Sequence, residues 1–290
     1  MDQAQAPRWR HPGFLLLYAI GATMLAIALS VGLSHIAPSH KTGWWAVLFA
    51  CGVAAIFVAT YVAFCRFLEG RPASEFSLAS AGIELPAGIV TGLVIFSLVV
   101  GVIAAFGGYR VIGYRDAGVL VPALAVAILS GFTEEIFFRG FFFRLTEKWL
   151  GSWAALGLSA ALFGALHLGN PNATLLAAVA IMLEAGIMLA ALYMITRRLW
   201  AAIGLHAAWN FAQGGIYGIP VSGGEMDGVL RPDIRGSDLL TGGAFGAEAS
   251  LPAILVATAF GLALLYVAWR RGQFMSPIWV RRRQGAAEQE

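Results

Sequence analysis

Long apolar runs, broken at short intervals by small groups of Arg, Gly, Pro and Asn, dominate the chain. A helix needs about 20 mostly apolar residues to cross a bilayer. Runs of that kind cover residues 13–36, 44–66, 87–108, 118–143, 173–196, 199–219 and 250–269, and a shorter one covers 153–168. The pattern predicts an all-α, polytopic transmembrane helix bundle of about eight spans, or seven if 153–168 is re-entrant. The first run, from Gly13 to about Ala37, is longer than a signal-peptide core and lacks a small-x-small cleavage signal. It reads as a retained helix. Neither half of the chain repeats the other, which weakens a transporter built from internal repeats. Residues 1–290 therefore read as a single integral membrane domain.

Composition sharpens this picture. Soluble domains carry about a quarter of their residues as Asp, Glu, Lys and Arg. Here the charged fraction is 12%, the hydrophobic fraction 59% and the mean hydropathy +0.76. Too few charges exist to cover a water-facing surface, so the partner is the lipid bilayer. The net charge of +3 and pI near 9.1 do not indicate nucleic acid, because the basic residues sit at the ends of apolar runs. Thirteen of them, from Arg8 and Arg10 to the triple Arg281-Arg282-Arg283, fall on one side if the N-terminus is inside. Lys41, Arg110, Arg115, Arg231 and Arg235 fall on the other, with Arg139 set aside as intramembrane. The positive-inside rule then predicts a plasma (inner) membrane protein with both termini cytoplasmic. Cys51 and Cys65 share one apolar run and lie about 21 Å apart along a helix, too far to pair.

Ionisable groups inside spans are costly and so are functional candidates. Thr133-Glu134-Glu135-Ile136-Phe137-Phe138-Arg139 is an EExxxR pattern late in the fourth span. Neighbouring residues on a helix point about 100° apart, so the two carboxylates cannot face one site. Glu135 and Arg139, at i,i+4, can pair on one face, which leaves Glu134 free. Phe163-Gly164-Ala165-Leu166-His167 places an imidazole in the fifth span, and His206-Ala207-Ala208-Trp209-Asn210 puts two polar side chains on one face of the seventh. There Asn210 can orient His206 or hold an oxyanion. The bland alternatives are an ion pair between helices, a hydrogen-bonded core histidine and a polar interhelical clamp.

Depth links the three groups. Glu134 and Glu135 lie 16 and 15 residues before Leu150, and His167 lies 17 after it, so a hairpin turning there sets them at one height. Glu134 is ten residues from Arg144 and His206 eight from Arg198, roughly 12–15 Å below the cytoplasmic boundary at 1.5 Å per residue. At that depth the fifth span breaks early, at Gly169-Asn170-Pro171-Asn172, which predicts a hydrated cavity or local thinning of the bilayer. Glu184, thirteen residues before Arg197, sits somewhat deeper and is read as an added ligand, a proton acceptor or a partner for Arg139.

A lone carboxylate in a low-dielectric pocket suits a general base near neutrality. Two neutral imidazoles nearby can bind water, bind a divalent metal or donate to an oxyanion. Water, base and oxyanion stabiliser are what amide hydrolysis requires. No Ser or Cys occupies a comparable constellation, so activated water is the expected attacker.

EExxxR, FxxxH and HxxxN, in that order on separate membrane segments, resemble the CPBP family, which groups CAAX proteases with bacteriocin-processing and abortive-infection proteins. The resemblance covers a core at 118–210, and Tyr217–Gly223 with Gly242–Gly246 look like bacterial members. It implies an intramembrane endopeptidase acting on a membrane-associated or lipidated peptide or protein. By the same resemblance Glu134 activates water, Glu135 and Arg139 support it, and His167, His206 and Asn210 complete the site. Family descriptions include both metal-dependent enzymes and a glutamate-driven mechanism. A divalent ion such as zinc would fall to His167, His206 and Glu134, a thin ligand set without an HExxH motif. Two other readings stay open: a non-enzymatic membrane scaffold or immunity protein, and a proton-coupled transporter using the Glu and His residues as a relay.

Overall fold

The structure, a computed structural model, describes residues 7–36 and 43–287; Lys41, assigned above to the outer side, lies outside them. The apolar runs form helices α1 (Pro12–Ile36), α2 (Gly43–Ala63), α3 (Leu78–Ala105) and α4 (Leu120–Glu135). A wide π turn at Ile136–Phe143 carries α4 straight into α5 (Arg144–Leu150). After Gly151 come α6 (Ser152–Leu166), then α7 (Leu175–Ile181) and α8 (Ile187–Thr196), joined by another π turn at Met182–Gly186. α9 (Trp200–Asn210) continues through a further π turn at Phe211–Ile216, and one more at Phe64–Glu69 ends α2. The chain ends with short α10 (Asp238–Thr241), α11 (Leu251–Arg270) and α12 (Ile278–Ala287).

Among the described residues seven helices are long and apolar enough to cross a membrane, and the 152–169 segment is one of them. The run expected at 199–219 is not among the seven: α9 with its continuation covers only Trp200–Ile216. It is the central helix, packed against α3, α4 and α8, and His206 and Asn210 are buried on it. The outer helix α1 shows the opposite case: Leu17, Met24, Leu25 and Val31 are left uncovered by protein and fit a lipid environment. α3 starts nine residues earlier than its apolar run suggested and runs through Pro86.

Close packing of α9 on α3 depends on small residues, the usual way membrane helices approach each other. A methyl group added at Gly88 would fall on the carbonyl oxygen of Ala201, and one at Gly92 on that of Leu205. Gly204 stands in the same relation to the Leu85 carbonyl. Overpacking of this kind costs about 1–3 kcal/mol. Gly88→Ala should therefore lower the thermal midpoint of detergent-purified protein, whereas Gly101→Ala, with open space around it, should leave it unchanged. Equal stability of the two variants would contradict the close α3–α9 contact.

The segments assigned to one side of the membrane do meet at one end. Glu69 binds Arg144 at 2.7 Å and Lys148 at 3.2 Å, Arg71 joins Glu69 and Glu75 at 2.9 Å, and Glu147 and Glu84 pair with Arg197 and Arg198. Ser152 donates its N–H to the Met275 carbonyl at 2.9 Å, tying the α5–α6 turn to the stretch before α12.

The opposite end holds an element the apolar pattern does not predict. β1 (Tyr109–Tyr114) pairs antiparallel with β2 (Leu230–Ile234), with a bulge between Val111 and Gly113. The partners are more than a hundred residues apart, so no local periodicity announces them. From this hairpin-like sheet the Gly-rich loop folds back over the bundle. Gly223 sits at φ +83 with no room for a side chain against the Pro171 carbonyl. Gly223 donates to Phe245 at 2.7 Å, and Asn172 donates to the Gly223 carbonyl at 3.3 Å. These contacts tie the early break after His167 to the loop at Pro171 and Asn172, while Leu168, Gly169, Pro171 and Asn172 themselves stay exposed.

Candidate active site

Three helices, α4 with its π continuation, α6 and α9, bring the polar groups of the three motifs together. α4 and α9 run antiparallel, and each contributes a polar pair about one turn apart. Asn210 faces Ser130, donating to its hydroxyl at 2.8 Å, and His206 faces Glu135, its Nδ1 2.8 Å from Oε1. The same carboxylate oxygen accepts from Arg139 at 2.9 Å, with both side chains fully buried. The predicted i,i+4 ion pair is present.

Arg139 is satisfied on its other side by backbone. Its second nitrogen donates to the Ala185 carbonyl at 2.9 Å and lies 3.4 Å from that of Gly186. Both carbonyls belong to the π turn between α7 and α8, and such turns leave carbonyls without their usual helical donor and recur at functional sites. Glu184 is therefore not the anchor of Arg139; backbone has taken that place.

Glu135 fixes the chemistry of His206. An ionised carboxylate already receiving an Arg proton can only accept, so Nδ1 of His206 carries the hydrogen and Nε2 presents its lone pair. Nε2 points towards Glu134, 3.9 Å from Oε2. That gap is too long for a direct hydrogen bond and suits one water about 2.8 Å from each atom. Oε2 of Glu134 is buried with no protein partner, while its side chain as a whole is 32% exposed. Of the two roles open to Asn210, orienting His206 belongs to Glu135 instead. The reason is register, since the imidazole and the amide meet different turns of α4.

His167 reaches the cluster through Phe163. Its Nδ1 lies 2.7 Å from the Phe163 carbonyl, which makes Nδ1 the donor and leaves Nε2 free. The Phe163 ring is 4.8 Å from the His167 ring, 6.2 Å from that of His206 and 4.7 Å from the Arg139 guanidinium. The aromatic residue of FxxxH is thus the apolar spacer around which both histidines and the arginine are arranged.

Two cavities adjoin these groups. A small one of about 30 Å³ is lined by His167, His206, Asn210, Glu184, Ser222 and Glu248, among others. A groove of about 540 Å³ runs between α1, α2 and α4 and is lined by Ile20, Met24, Ile27, Phe57, Thr133 and Glu134, among others. The hydroxyls of Thr23 and Ser30 in its wall are spent on carbonyls of α1 itself, so the groove presents an apolar surface that ends at Glu134. His206 lines the first and Glu134 the second.

Sequence reasoning missed Ser130, Ser222 and Glu248. Ser130 carried a signal, since it stands four residues before Glu134 on α4. Glu248 carried none: it is 3% exposed, accepts the N–H of Ser222 at 2.6 Å, and reaches the cavity only because the Gly-rich loop folds inward. Glu184 lines the same cavity with one oxygen buried and unpartnered. Among the described residues no three His, Cys, Asp or Glu side chains stand close enough to hold a metal ion. His167, His206 and Glu134 as placed do not make the ligand set that a divalent ion requires.

No curated protein and no solved structure matches the chain. Residues 116–212, about a third of it, match the family model described as type II CAAX prenyl endopeptidase Rce1-like. The match begins at the turn before α4, ends two residues past Asn210 and encloses all three motifs. This integral membrane protein therefore carries, over residues 116–212, a segment similar to the type II CAAX prenyl endopeptidases.

Proposed function

We propose that the protein is an intramembrane endopeptidase that uses Glu134 to activate water against a peptide bond of a membrane-anchored peptide or protein. The 3.9 Å separation of His206 Nε2 and Glu134 Oε2, with Nδ1 already committed to Glu135, carries this reading. A water in that gap donates one hydrogen to each. As its oxygen bonds to the carbonyl carbon, Glu134 takes a proton and passes it to the leaving amide nitrogen while the C–N bond breaks. Glu135, neutralised by Arg139, holds the imidazole in one tautomer. The Asn210 amide is the donor at hand for the oxyanion, and His167, whose Nδ1 hydrogen goes to the Phe163 carbonyl, offers Nε2 as an acceptor for the attacking water or, once protonated, as a second donor. The apolar groove ending at Glu134 suits a substrate that arrives from the lipid phase.

The test is cleavage of a membrane-anchored peptide by purified protein in proteoliposomes. Native protein should release a new soluble fragment and His206→Ala should not. Release by neither, over a series of peptides differing in the length between anchor and cleavage point, would overturn the proposal. A scaffold or immunity protein predicts instead that His206→Ala keeps its biological effect, and a transporter predicts proton flux in the same vesicles.

A metal-dependent form of the reaction requires His167, His206 and Glu134 to draw together around an ion. Bound metal in the purified protein, native against a His167→Ala/His206→Ala double variant, decides this form. Near-stoichiometric metal lost in the variant supports it, and equal, negligible metal in both contradicts it. Both termini are proposed to be cytoplasmic in the plasma membrane, supported by the gathering of basic segments at one end of the bundle. Cysteine labelling at either terminus of intact cells should fail and succeed after permeabilisation.

A further inference from the structure

We propose that the arginine-rich end of the bundle contains a binding site for one anionic phospholipid, its phosphate held among Arg10, His11, Lys148, Arg281 and Arg282. A cavity of about 640 Å³ lies there, walled by the stretch before α1, the first turn of α1, the end of α5 and α12. That is the size of a small-molecule site. Its lining includes these five nitrogen-bearing side chains and no acidic one.

A surplus of basic residues at this end is what membrane topology alone produces, so the argument rests on how they are paired. Elsewhere at the same end acids neutralise them: Glu69 and Glu75 serve Arg71 and Arg144, Glu147 serves Arg197, and Glu84 serves Arg198. Around the cavity this stops. Among the described residues Arg10, Arg281 and Arg282 have no acidic partner, and Lys148 shares Glu69 with two arginines. Nε of Arg10 is buried without an acceptor. Arg281 donates to the Lys148 carbonyl at 2.6 Å, which fixes α12 against α5 and holds like charges around one space. His11 accepts the Gly13 N–H on Nδ1 at 3.2 Å, so its Nε2 is the nitrogen that carries a hydrogen for a ligand. Fixed positive charges facing one cavity repel each other, and an anion between them removes that cost.

The rest of the lining selects a lipid over a free phosphate. Pro12, Phe14, Met275 and Ile278 supply an apolar wall. Phe14 is 49% and Leu17 61% uncovered by protein, so the wall continues along the outside of α1, where an acyl chain lies. Basic pockets beside membrane helices take anionic headgroups in this manner. Lys148 lies on the same continuous helical stretch as Glu134, so an occupied site also anchors the inner end of the helix that carries the candidate base.

Native mass spectrometry of the full chain in detergent, titrated with phosphatidylglycerol, phosphatidylcholine or inorganic phosphate, tests the site. Native protein should retain one phosphatidylglycerol in preference to phosphatidylcholine, and Arg10→Gln/Arg281→Gln/Arg282→Gln should bind it at least tenfold more weakly. Arg282→Gln alone, which breaks no bond in the structure, should weaken binding about threefold and guards against a triple variant that fails to fold. Arg270→Gln/Arg271→Gln, at the same end and outside the cavity, should bind as the native protein does. Equal loss in that control, which marks general surface charge, overturns the site. So does undiminished binding in Arg282→Gln and the triple variant, or retention of inorganic phosphate without preference for the lipid.

Discussion

Glu134→Gln is expected to lower peptide cleavage by about 10²–10⁴-fold, the range that a positioned general base contributes, with the protein still folded. The substitution keeps the shape and removes the proton acceptor. It should cost the fold little, because Oε2 has no protein partner and the side chain is partly open to the groove. Initial rates in proteoliposomes, together with the thermal midpoint in detergent, separate the two effects. Activity within tenfold of native in a folded Glu134→Gln variant would remove this residue from the chemistry. The role would then pass to Glu184 or Glu248, the other carboxylates facing the adjoining cavity.

Glu135→Ala is expected to damage fold and activity together. Glu135 and Arg139 are both at 0% exposure, 2.9 Å apart. Removing one partner of a buried pair strands the other charge, at a cost of about 3–5 kcal/mol. The same change frees His206 to rotate and to take the other tautomer. A double variant separates these consequences. Glu135→Leu/Arg139→Leu replaces the pair with apolar groups, which buried sites often tolerate without net loss, so it should regain most of the lost stability. It should stay inactive, because nothing then orients His206. Recovery of cleavage in the double variant would show that the ion pair serves the fold alone. A Glu135→Ala protein as stable as native would show that Arg139 is neutral or finds another partner.

These two adjacent carboxylates show how far the chain could be read directly. That Glu135 pairs with Arg139 and Glu134 does not follows from helical geometry, since four residues close one turn and one residue swings 100°. The common height of Glu134, His167 and His206 follows from counting residues between charged boundaries. The helical class follows from the lipid solvent, which permits little else for runs of this length. Boundaries were less legible. α3 begins well before its apolar run, because Glu84 is neutralised by Arg198 from the turn between α8 and α9 and so does not interrupt it.

What the sequence determined by itself was therefore what is set by distance along the chain: most of the long apolar helices, the i,i+4 pair and the free acid beside it. Only the tertiary structure decided the contacts across it. The rotation of α9 against α4 gave Glu135 rather than Asn210 the task of holding His206. The π turn at Met182–Gly186 turned backbone carbonyls, not Glu184, towards Arg139. The inward fold of the Gly-rich loop brought Glu248 to the cavity, and the pairing of β1 with β2 closed the far end. The physical reason is the same in each case. A helix fixes the angle between its own side chains, while the angle between two helices is set by packing of small residues such as Gly88, Gly92 and Gly204, and packing has no period along a sequence.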